Sequence, residues 1–170
     1  MKLVSLKPSI LSIVLIQPRI PQNTGNIART CAAFDITLNL IEPLGFKIED
    51  KYLKRAGLDY WPIVKVNKYS NFEKFVDAKV NKRIISFSKK NGVYLNDFRF
   101  EQEDILLFGR EDKGLPESII NKSDSLISIF MPNLESPMNN IKGVRSLNLS
   151  VACGIAIYEA HKQINFQNIN

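Results

Sequence analysis

The sequence predicts a single α/β domain with a mainly parallel sheet and helices on both of its faces. Strand-like and helix-like segments alternate along most of the 170 residues, which is typical of α/β folds. Several strand-like segments are continuous apolar runs, as expected for strands buried on both faces. Apolar residues make up 45% of the chain and charged residues 24%, an ordinary globular balance. We predict an N-terminal arm over 1–9 and one domain over 10–170.

The first half of the chain begins with the apolar run Ile10–Ile16, which predicts a buried strand ended by Gln17-Pro18. Asn23–Phe34 has apolar side chains on one helical face, and Asn23 or Thr24 is a suitable N-cap. The remaining predicted elements of this half are strands at Thr37–Ile41 and Ile63–Val66 and helices at Glu49–Ala56 and Asn71–Ala78.

The second half contains a turn at Asn91-Gly92 and ends in the longest predicted helix, Ser146–Gln163. Pro116–Asn121 predicts a short helix with proline in its first turn. The predicted strands of this half are Arg83–Phe87, Asp104–Phe108 and Leu126–Phe130.

Composition narrows the functional classes. Lys and Arg number 23 against 17 Asp and Glu, so the formal net charge is +6, which suits an anionic partner such as nucleic acid as well as plain solubility. No apolar run approaches the roughly 20 residues of a membrane-spanning helix. Cys31 and Cys153 support neither a disulfide framework nor a four-ligand zinc site. We therefore expect a cytoplasmic protein with no membrane span and no metal.

Polar or glycine-containing segments follow three predicted strands, where ligands usually bind in α/β sheets. Pro18–Arg29 opens the first helix, so its unpaired N–H groups and Arg29 are suited to an anion. Gly109–Pro116 carries two glycines with charges between them, without the spacing of a P-loop or a dinucleotide fingerprint. Ser146–Ser150 brings three polar side chains to the start of the longest helix. Each segment taken alone also fits a capped turn.

In this order, the three segments resemble the signature motifs of the SPOUT class of RNA methyltransferases, in the TrmH family that methylates ribose 2′-hydroxyls. Ile41–Phe46 and Lys54–Tyr60 are further similar to the small tRNA (cytidine(34)-2′-O)-methyltransferases. The resemblance runs from about Ile13 to Gln163. It implies methyl transfer from S-adenosylmethionine to the wobble nucleotide, C34 or U34, of tRNA anticodons.

The resemblance also implies how the cofactor is held. Members of the family bind S-adenosylmethionine in a deep trefoil knot, so a C-terminal knot is expected here. Loops of the knot hold the cofactor largely through backbone groups, and Gly109 would let the adenosine lie close. The residues that correspond to the cofactor site are Phe87, Ser88, Gly109, Glu111, Gly114, Met131, Ser146 and Leu147.

Catalysis, by the same resemblance, centres on Arg29. A guanidinium does not normally give up its proton, so we expect Arg29 to orient an RNA phosphate and polarise the 2′-hydroxyl. Asn23 would hold Arg29 or the ribose, and Glu111 and Ser150 correspond to polar positions near the reacting groups. The predicted catalytic set is therefore Arg29, Asn23, Glu111 and Ser150.

The substrate is expected to be a tRNA anticodon stem-loop, and the family works as a homodimer. A basic stretch is suited to the phosphates of the stem, and Tyr60 or Trp61 to an unstacked base. Small residues of the C-terminal helix are compatible with a dimer interface or with packing onto the sheet. The predicted RNA-binding residues are Arg29, Lys54, Arg55 and Tyr60, and the basic stretch also contains Lys47, Lys51, Lys65 and Lys68.

Two alternatives stay open. The same chemistry could act on another ribose, such as guanosine 18 of tRNA or a ribosomal RNA position, although such relatives usually carry extra helices or an RNA-binding domain. The chain could also be a non-catalytic RNA-binding protein, which need not bind S-adenosylmethionine. The presence of Arg29, Glu111 and the Ser146–Ser150 segment favours the enzyme. The segment 133–144 is longer than usual for the family. It could close over the cofactor or contact RNA, and a tolerated surface insertion is its simplest interpretation.

Overall fold

A computed structural model of the chain describes residues 11–48, 63–79, 81–132 and 146–166. These residues form one seven-stranded sheet in which every neighbouring pair is parallel. The strand order across the sheet is β3-β2-β1-β6-β4-β7-β5. The strands are β1 (Ser12–Ile16), β2 (Thr37–Ile41), β3 (Val66–Tyr69), β4 (Ile84–Ser88), β5 (Val93–Tyr94), β6 (Ile105–Phe108) and β7 (Ser125–Ser128).

Helices cover both faces of this sheet, as the sequence predicts. They are α1 (Pro21–Ala33), α2 (Phe72–Asp77), α3 (Glu117–Ile120) and α4 (Leu149–Phe166), with a 3-10 turn at Leu95–Asp97. Side chains of a strand alternate between the faces, so Ile13 and Leu15 of β1 share one core cluster with buried residues of α1 and α4. Val14 and Ile16 belong to the opposite cluster, which contains residues of α2 and α3. No helix in the described ranges is long and apolar enough to cross a membrane.

Helix α1 begins two residues before the predicted start. Pro21 occupies its first turn, where a missing N–H costs nothing, and Ile20 is the N-cap residue without a side-chain hydrogen bond. The prediction that Asn23 or Thr24 caps this helix is therefore wrong. Both side chains are buried inside the first turns, and the Asn23 amide bonds to residues far away in the sequence.

Two other boundaries differ from the predictions for identifiable reasons. Strand β3 starts at Val66, and among the described strands it pairs with β2 alone, in the register Leu38↔Val66. The apolar Ile63 precedes the strand and is exposed. Helix α4 starts at Leu149 because Asn148 closes its amino end. The Oδ1 atom of Asn148 accepts from the backbone N–H of Ser150 at 2.8 Å, an N-cap arrangement.

The short strand β5 was not predicted. Only its two residues, Val93 and Tyr94, pair with β7, and two residues are too few for an apolar pattern. The predicted arm over 1–9, the helix Glu49–Ala56 and the loop over 133–144 lie outside the described residues.

Small residues of helix α4 pack against the rest of its own domain. Cys153, Ala156 and Ala160 are fully buried and belong to the core cluster shared with α1 and the sheet. The small residues at these three positions therefore let the helix pack closely onto its own domain. The opposite side presents Val151, Ile155 and Tyr158, which are 48%, 38% and 63% exposed.

Candidate cofactor and RNA site

A cavity of about 290 Å³ opens at the carboxyl edge of the sheet, where β4, β6 and β7 end. Its volume is close to that of small-molecule binding sites. The rings of Phe87 and Phe108 stack in its wall, with centroids 4.6 Å apart and an angle of 13° between the planes. All eight predicted cofactor residues line this cavity, namely Phe87, Ser88, Gly109, Glu111, Gly114, Met131, Ser146 and Leu147.

The loop between Gly109 and Gly114 is closed by its own backbone. The N–H of Arg110 donates to the carbonyl of Gly114 at 3.1 Å, and the N–H of Gly114 donates to the carbonyl of Arg110 at 2.8 Å. A side chain at Gly109 would collide with the backbone of Gly114 and Leu115. Gly109 is thus needed for the loop to close on itself, and its place beside the adenosine stays a prediction. Gly114 has φ +70°, a left-handed conformation that favours glycine.

Charged side chains form the rim of the cavity. Arg110 donates two hydrogen bonds to Asp112, at 2.9 and 2.6 Å. This guanidinium holds the pKa of Asp112 at about 2, well below its usual value. Lys89 and Lys113 also line the rim, so the cavity combines an aromatic and aliphatic interior with charges of both signs at its mouth.

A chain of hydrogen bonds next to the cavity joins three segments that are distant in sequence. The carboxylate of Glu111 accepts from the backbone N–H groups of Arg19 at 2.9 Å and Ile20 at 3.1 Å, and from Nδ2 of Asn23 at 3.2 Å. Asn23 Oδ1 accepts from Nδ2 of Asn148 at 2.9 Å. Asn148 Oδ1 accepts from the Ser150 hydroxyl at 2.7 Å. We call Glu111, Asn23, Asn148 and Ser150 the amide network.

The amide network contains three of the four predicted catalytic residues, which the structure brings together. Because an ionised carboxylate only accepts, Glu111 orients the Asn23 amide with its nitrogen toward Glu111 and its oxygen toward Asn148. Asn148 was not in the predicted catalytic set. The only sequence signal for it was its place among the polar residues at the start of the last helix, where capping is the usual role.

Arg29 lies further along the same helix as Asn23. Its side chain is exposed on α1, six residues beyond Asn23, which corresponds to about 9 Å along a helix axis. Among the described residues, those that line the cavity do not include Arg29.

The predicted basic stretch is partly neutralised where the structure describes it. Lys65 forms an ion pair with Asp35 at 2.8 Å, and Lys68 forms one with Glu42 at 3.4 Å. Lys47 is exposed. The other members of the stretch, together with two aromatic candidates, lie outside the described residues: Lys51, Lys54, Arg55, Tyr60 and Trp61.

The parallel sheet with a ligand-sized cavity at its carboxyl edge is a fold found among known methyltransferases. The structure of the SpoU methyltransferase AviRb from Streptomyces viridochromogenes with AdoMet superposes with a TM-score of 0.78 at 21% identity, covering 94% of this chain and 60% of that one. The sequence matches the SpoU rRNA Methylase family over residues 10–158. The chain belongs to this family.

Closer relatives match along nearly their whole length. The tRNA (cytidine(34)-2′-O)-methyltransferase of Aeromonas hydrophila is 41% identical over 157 residues, which cover 92% of this chain and 96% of the relative. The enzyme of the same name from Methylovorus glucosotrophus is 38% identical, with 92% and 97% covered. A structure solved to study 2-OH methylation of C/U34 on tRNA superposes with a TM-score of 0.83 at 45% identity, covering 92% of this chain and 97% of that one.

Proposed function

We propose that this protein transfers a methyl group from S-adenosylmethionine to the ribose 2′-hydroxyl of the wobble nucleotide, C34 or U34, of tRNA. The observation that carries the proposal is the convergence of all eight predicted cofactor residues on one cavity. The similarity to the C34 enzymes over nearly the full length of both chains supports the target nucleotide.

The residues around the cavity fit S-adenosylmethionine. The stacked Phe87 and Phe108, with Met131 and Leu147, offer apolar surface to an adenine ring. The rim carries Lys113, whose charge suits the carboxylate of the methionine end. When bound there, the cofactor supplies an electrophilic methyl group for an in-line transfer.

The chain's own residues then have to position the ribose and help its hydroxyl lose a proton. A guanidinium does not normally give up its proton, so Arg29 orients an RNA phosphate and polarises the hydroxyl, and the hydroxyl proton leaves to that phosphate or to water. The amide network connects the start of α1 to the Glu111 loop and to α4. Arg29 lies further along the same helix α1. Fixing these elements relative to one another is the kind of positioning that lowers a barrier by several kcal/mol.

We further propose that the C-terminal part of the domain forms a trefoil knot. Two features support this. The four strands β6, β4, β7 and β5 lie side by side and parallel in an order that differs from their order in the sequence. The segment that starts at Ser146 returns to the loops after β4 and β6 and lines the same cavity.

A homodimer built on the outer side of α4 is also proposed. Val151, Ile155 and Tyr158 are spaced by four and three residues, so they form one exposed apolar stripe. Gly154 lies beside it with no atom near its missing side chain. A contiguous exposed apolar surface of this kind marks an interaction site, and a second copy of α4 is its complement.

Buried free thiols at both cysteines fit a reducing cytoplasm, where tRNA is the substrate.

The test is methyl transfer from labelled S-adenosylmethionine to tRNA that lacks the modification, followed by mapping of the labelled nucleotide. We expect label in 2′-O-methylcytidine or 2′-O-methyluridine at position 34. Arg29→Ala should lower turnover at least about 100-fold while the dissociation constant for the cofactor stays the same. Arg99→Ala, at an exposed arginine in the loop before β6, is the control.

The alternatives give different results in the same assay. Label at another ribose would keep the chemistry and move the target. A protein that binds tRNA but neither binds S-adenosylmethionine nor transfers label would be the non-catalytic relative, and the proposal would then be wrong.

A further inference from the structure

An exposed aromatic surface lies beside the cavity and has no role in the proposed reaction so far. The Phe130 ring meets the Tyr94 ring edge to face, with centroids 5.6 Å apart and 87° between the planes. Phe130 is 54% exposed. We call Tyr94 and Phe130 the aromatic shelf.

The register of the sheet places the aromatic shelf at the same edge as the cavity. Ser88 of β4 and Tyr94 of β5 both pair with Ser128 of β7, so these three strands end at one level. Phe130 follows two residues after β7, between Ile129 and Met131, and both of these neighbours line the cavity. The shelf and the cavity are therefore adjacent parts of one surface.

Two lysines at the same edge of the sheet indicate what kind of molecule the shelf binds. Lys89 and Lys90 follow directly after β4 and are exposed. Within the described part of the chain, neither of them forms an ion pair. An aromatic face beside unpaired cations is the combination that binds unstacked nucleotides, because the base stacks on the ring and the phosphate meets the lysines. An apolar protein partner would gain nothing from the two lysines.

We infer that the aromatic shelf stacks a nucleobase of the RNA substrate, one that lies near the methylated ribose, while Lys90 contacts its phosphate. This inference rests on the proposed function, since it assigns a second contact to the same RNA. The shelf holds the loop of the RNA open by replacing the stacking that the base loses when it leaves its neighbours.

Substitutions at Phe130 separate stacking from simple apolar contact. Phe130→Ala and Phe130→Leu should each raise the KM for tRNA about tenfold, the size of the loss of one base–aromatic stack. Phe130→Tyr keeps the ring and should behave like the wild type. The dissociation constant for S-adenosylmethionine should stay the same in all three variants, which shows that the neighbouring cavity walls are intact.

A fluorescence measurement tests the contact directly and does not depend on turnover. In a Trp61→Phe background, which removes the single native tryptophan, Phe130→Trp puts the only tryptophan on the shelf. Addition of an anticodon stem-loop RNA should quench its emission. Lys90→Ala should reduce the salt dependence of RNA binding by about one unit in log–log slope.

Several results would overturn the inference. If Phe130→Leu retains the wild-type KM while Phe130→Ala does not, an apolar protein segment covers the shelf instead of a base. If all Phe130 variants act like the wild type, or if bound RNA leaves the tryptophan emission unchanged, no base stacks there. Failure of the proposed function looks different, because the wild-type protein itself would then transfer no label to tRNA.

Discussion

The two ends of strand β6 each carry a carboxylate, and the two have very different surroundings. Asp104 precedes the strand at its amino end, is 1% exposed and receives two hydrogen bonds from Arg83, at 2.8 and 2.7 Å. Glu111 follows the strand at its carboxyl end, and its partners among the described residues are neutral donors, two backbone N–H groups and an amide. In the described part of the chain, no cation lies within ion-pair distance of Glu111.

The difference separates a stabilising group from a positioning one. At the amino end the charge of Asp104 is neutralised and its remaining hydrogen-bonding capacity is used by the N–H of Glu101, so little is left for a ligand. At the carboxyl end Glu111 lies on the wall of the cavity and fixes α1 through neutral hydrogen bonds. Substitutions at the two ends should therefore change different measurable quantities.

The largest effect is expected at the amino end. Asp104→Asn removes the buried one of the two carboxylates that pair with Arg83 and leaves only the exposed Glu101, so the free energy of unfolding should fall by about 3 kcal/mol. Urea denaturation measures this, and the cofactor affinity of the folded fraction should not change. Glu103→Gln is the matched control, because its partner is Lys82 and the Glu103 side chain is 50% exposed. That control should lose less than about 0.5 kcal/mol, and an equal loss in both variants would contradict the comparison.

At the carboxyl end, Glu111→Gln should lower turnover about 100-fold. A glutamine places an NH₂ group opposite one of the donors that Glu111 accepts from, so the loop and α1 shift relative to each other. The free energy of unfolding should change by only about 1 kcal/mol. Glu117→Gln, at an exposed position of α3, serves as the control and should keep both quantities. A Glu111→Gln enzyme with full turnover would remove the positioning role.

A smaller and more selective effect is expected at Asn148. Asn148→Asp keeps the oxygen that accepts from Ser150 but loses the amide donor to Asn23. It should retain the helix cap, and with it the thermal stability, while turnover falls about tenfold. Asn148→Ala should lose the cap as well, so its free energy of unfolding should fall by about 1 kcal/mol. Parallel thermal melts and initial rates of the two variants measure this, and equal behaviour would mean that capping is the only role of Asn148.

The smallest effect is expected in the chemical labelling of the two cysteines. Cys31 of α1 and Cys153 of α4 report whether these two helices stay packed in the variants. Burial raises the pKa of Cys31 to about 12 and that of Cys153 well above its usual value. At pH 8.5 only about one Cys31 thiol in three thousand is the reactive thiolate. Iodoacetamide should therefore leave both cysteines unmodified in the native wild type and in the Glu111 and Asn148 variants, and modify both in urea. Labelling of a native variant would show that its turnover loss comes from unpacking.

The thiols also set the direction of a pH effect. In the unfolded chain they ionise near pH 8.5 to 9, whereas in the folded protein they stay protonated to much higher pH. The stabilisation from the buried neutral thiols is therefore complete below about pH 8 and is lost as the pH rises toward 12.

Strands and helices with a clear local pattern of apolar residues could be predicted from the sequence. Thr37–Ile41 became β2 with the predicted limits, because Leu38, Leu40 and Ile41 are buried in the core and Glu42-Pro43 ends the strand. The same reasoning assigned Asn23 to a helix cap and was wrong, since its amide is held by Glu111, 88 residues further along the chain. Contacts of that range leave no local signal, and they also explain why Asn148 was overlooked.

The cofactor residues were predicted through resemblance to a family, and the structure adds a physical reason at one of them. The resemblance implies that Gly109 lies near the adenosine. Any side chain at position 109 would collide with the backbone of Gly114 and Leu115. This requirement for glycine comes from closure of the loop, and it does not depend on a ligand. Periodicity and composition contain no information about such a closure.

The closed loop between Gly109 and Gly114 has a consequence for the thermodynamics of ligand binding. Its two reciprocal backbone hydrogen bonds mean that its conformational entropy is lost when the protein folds. A ligand that enters the cavity then finds this wall preorganised, so less of its binding energy is spent on ordering. Lengthening the loop by inserted glycines would accordingly weaken affinity through entropy, even if every contact with the bound ligand were retained.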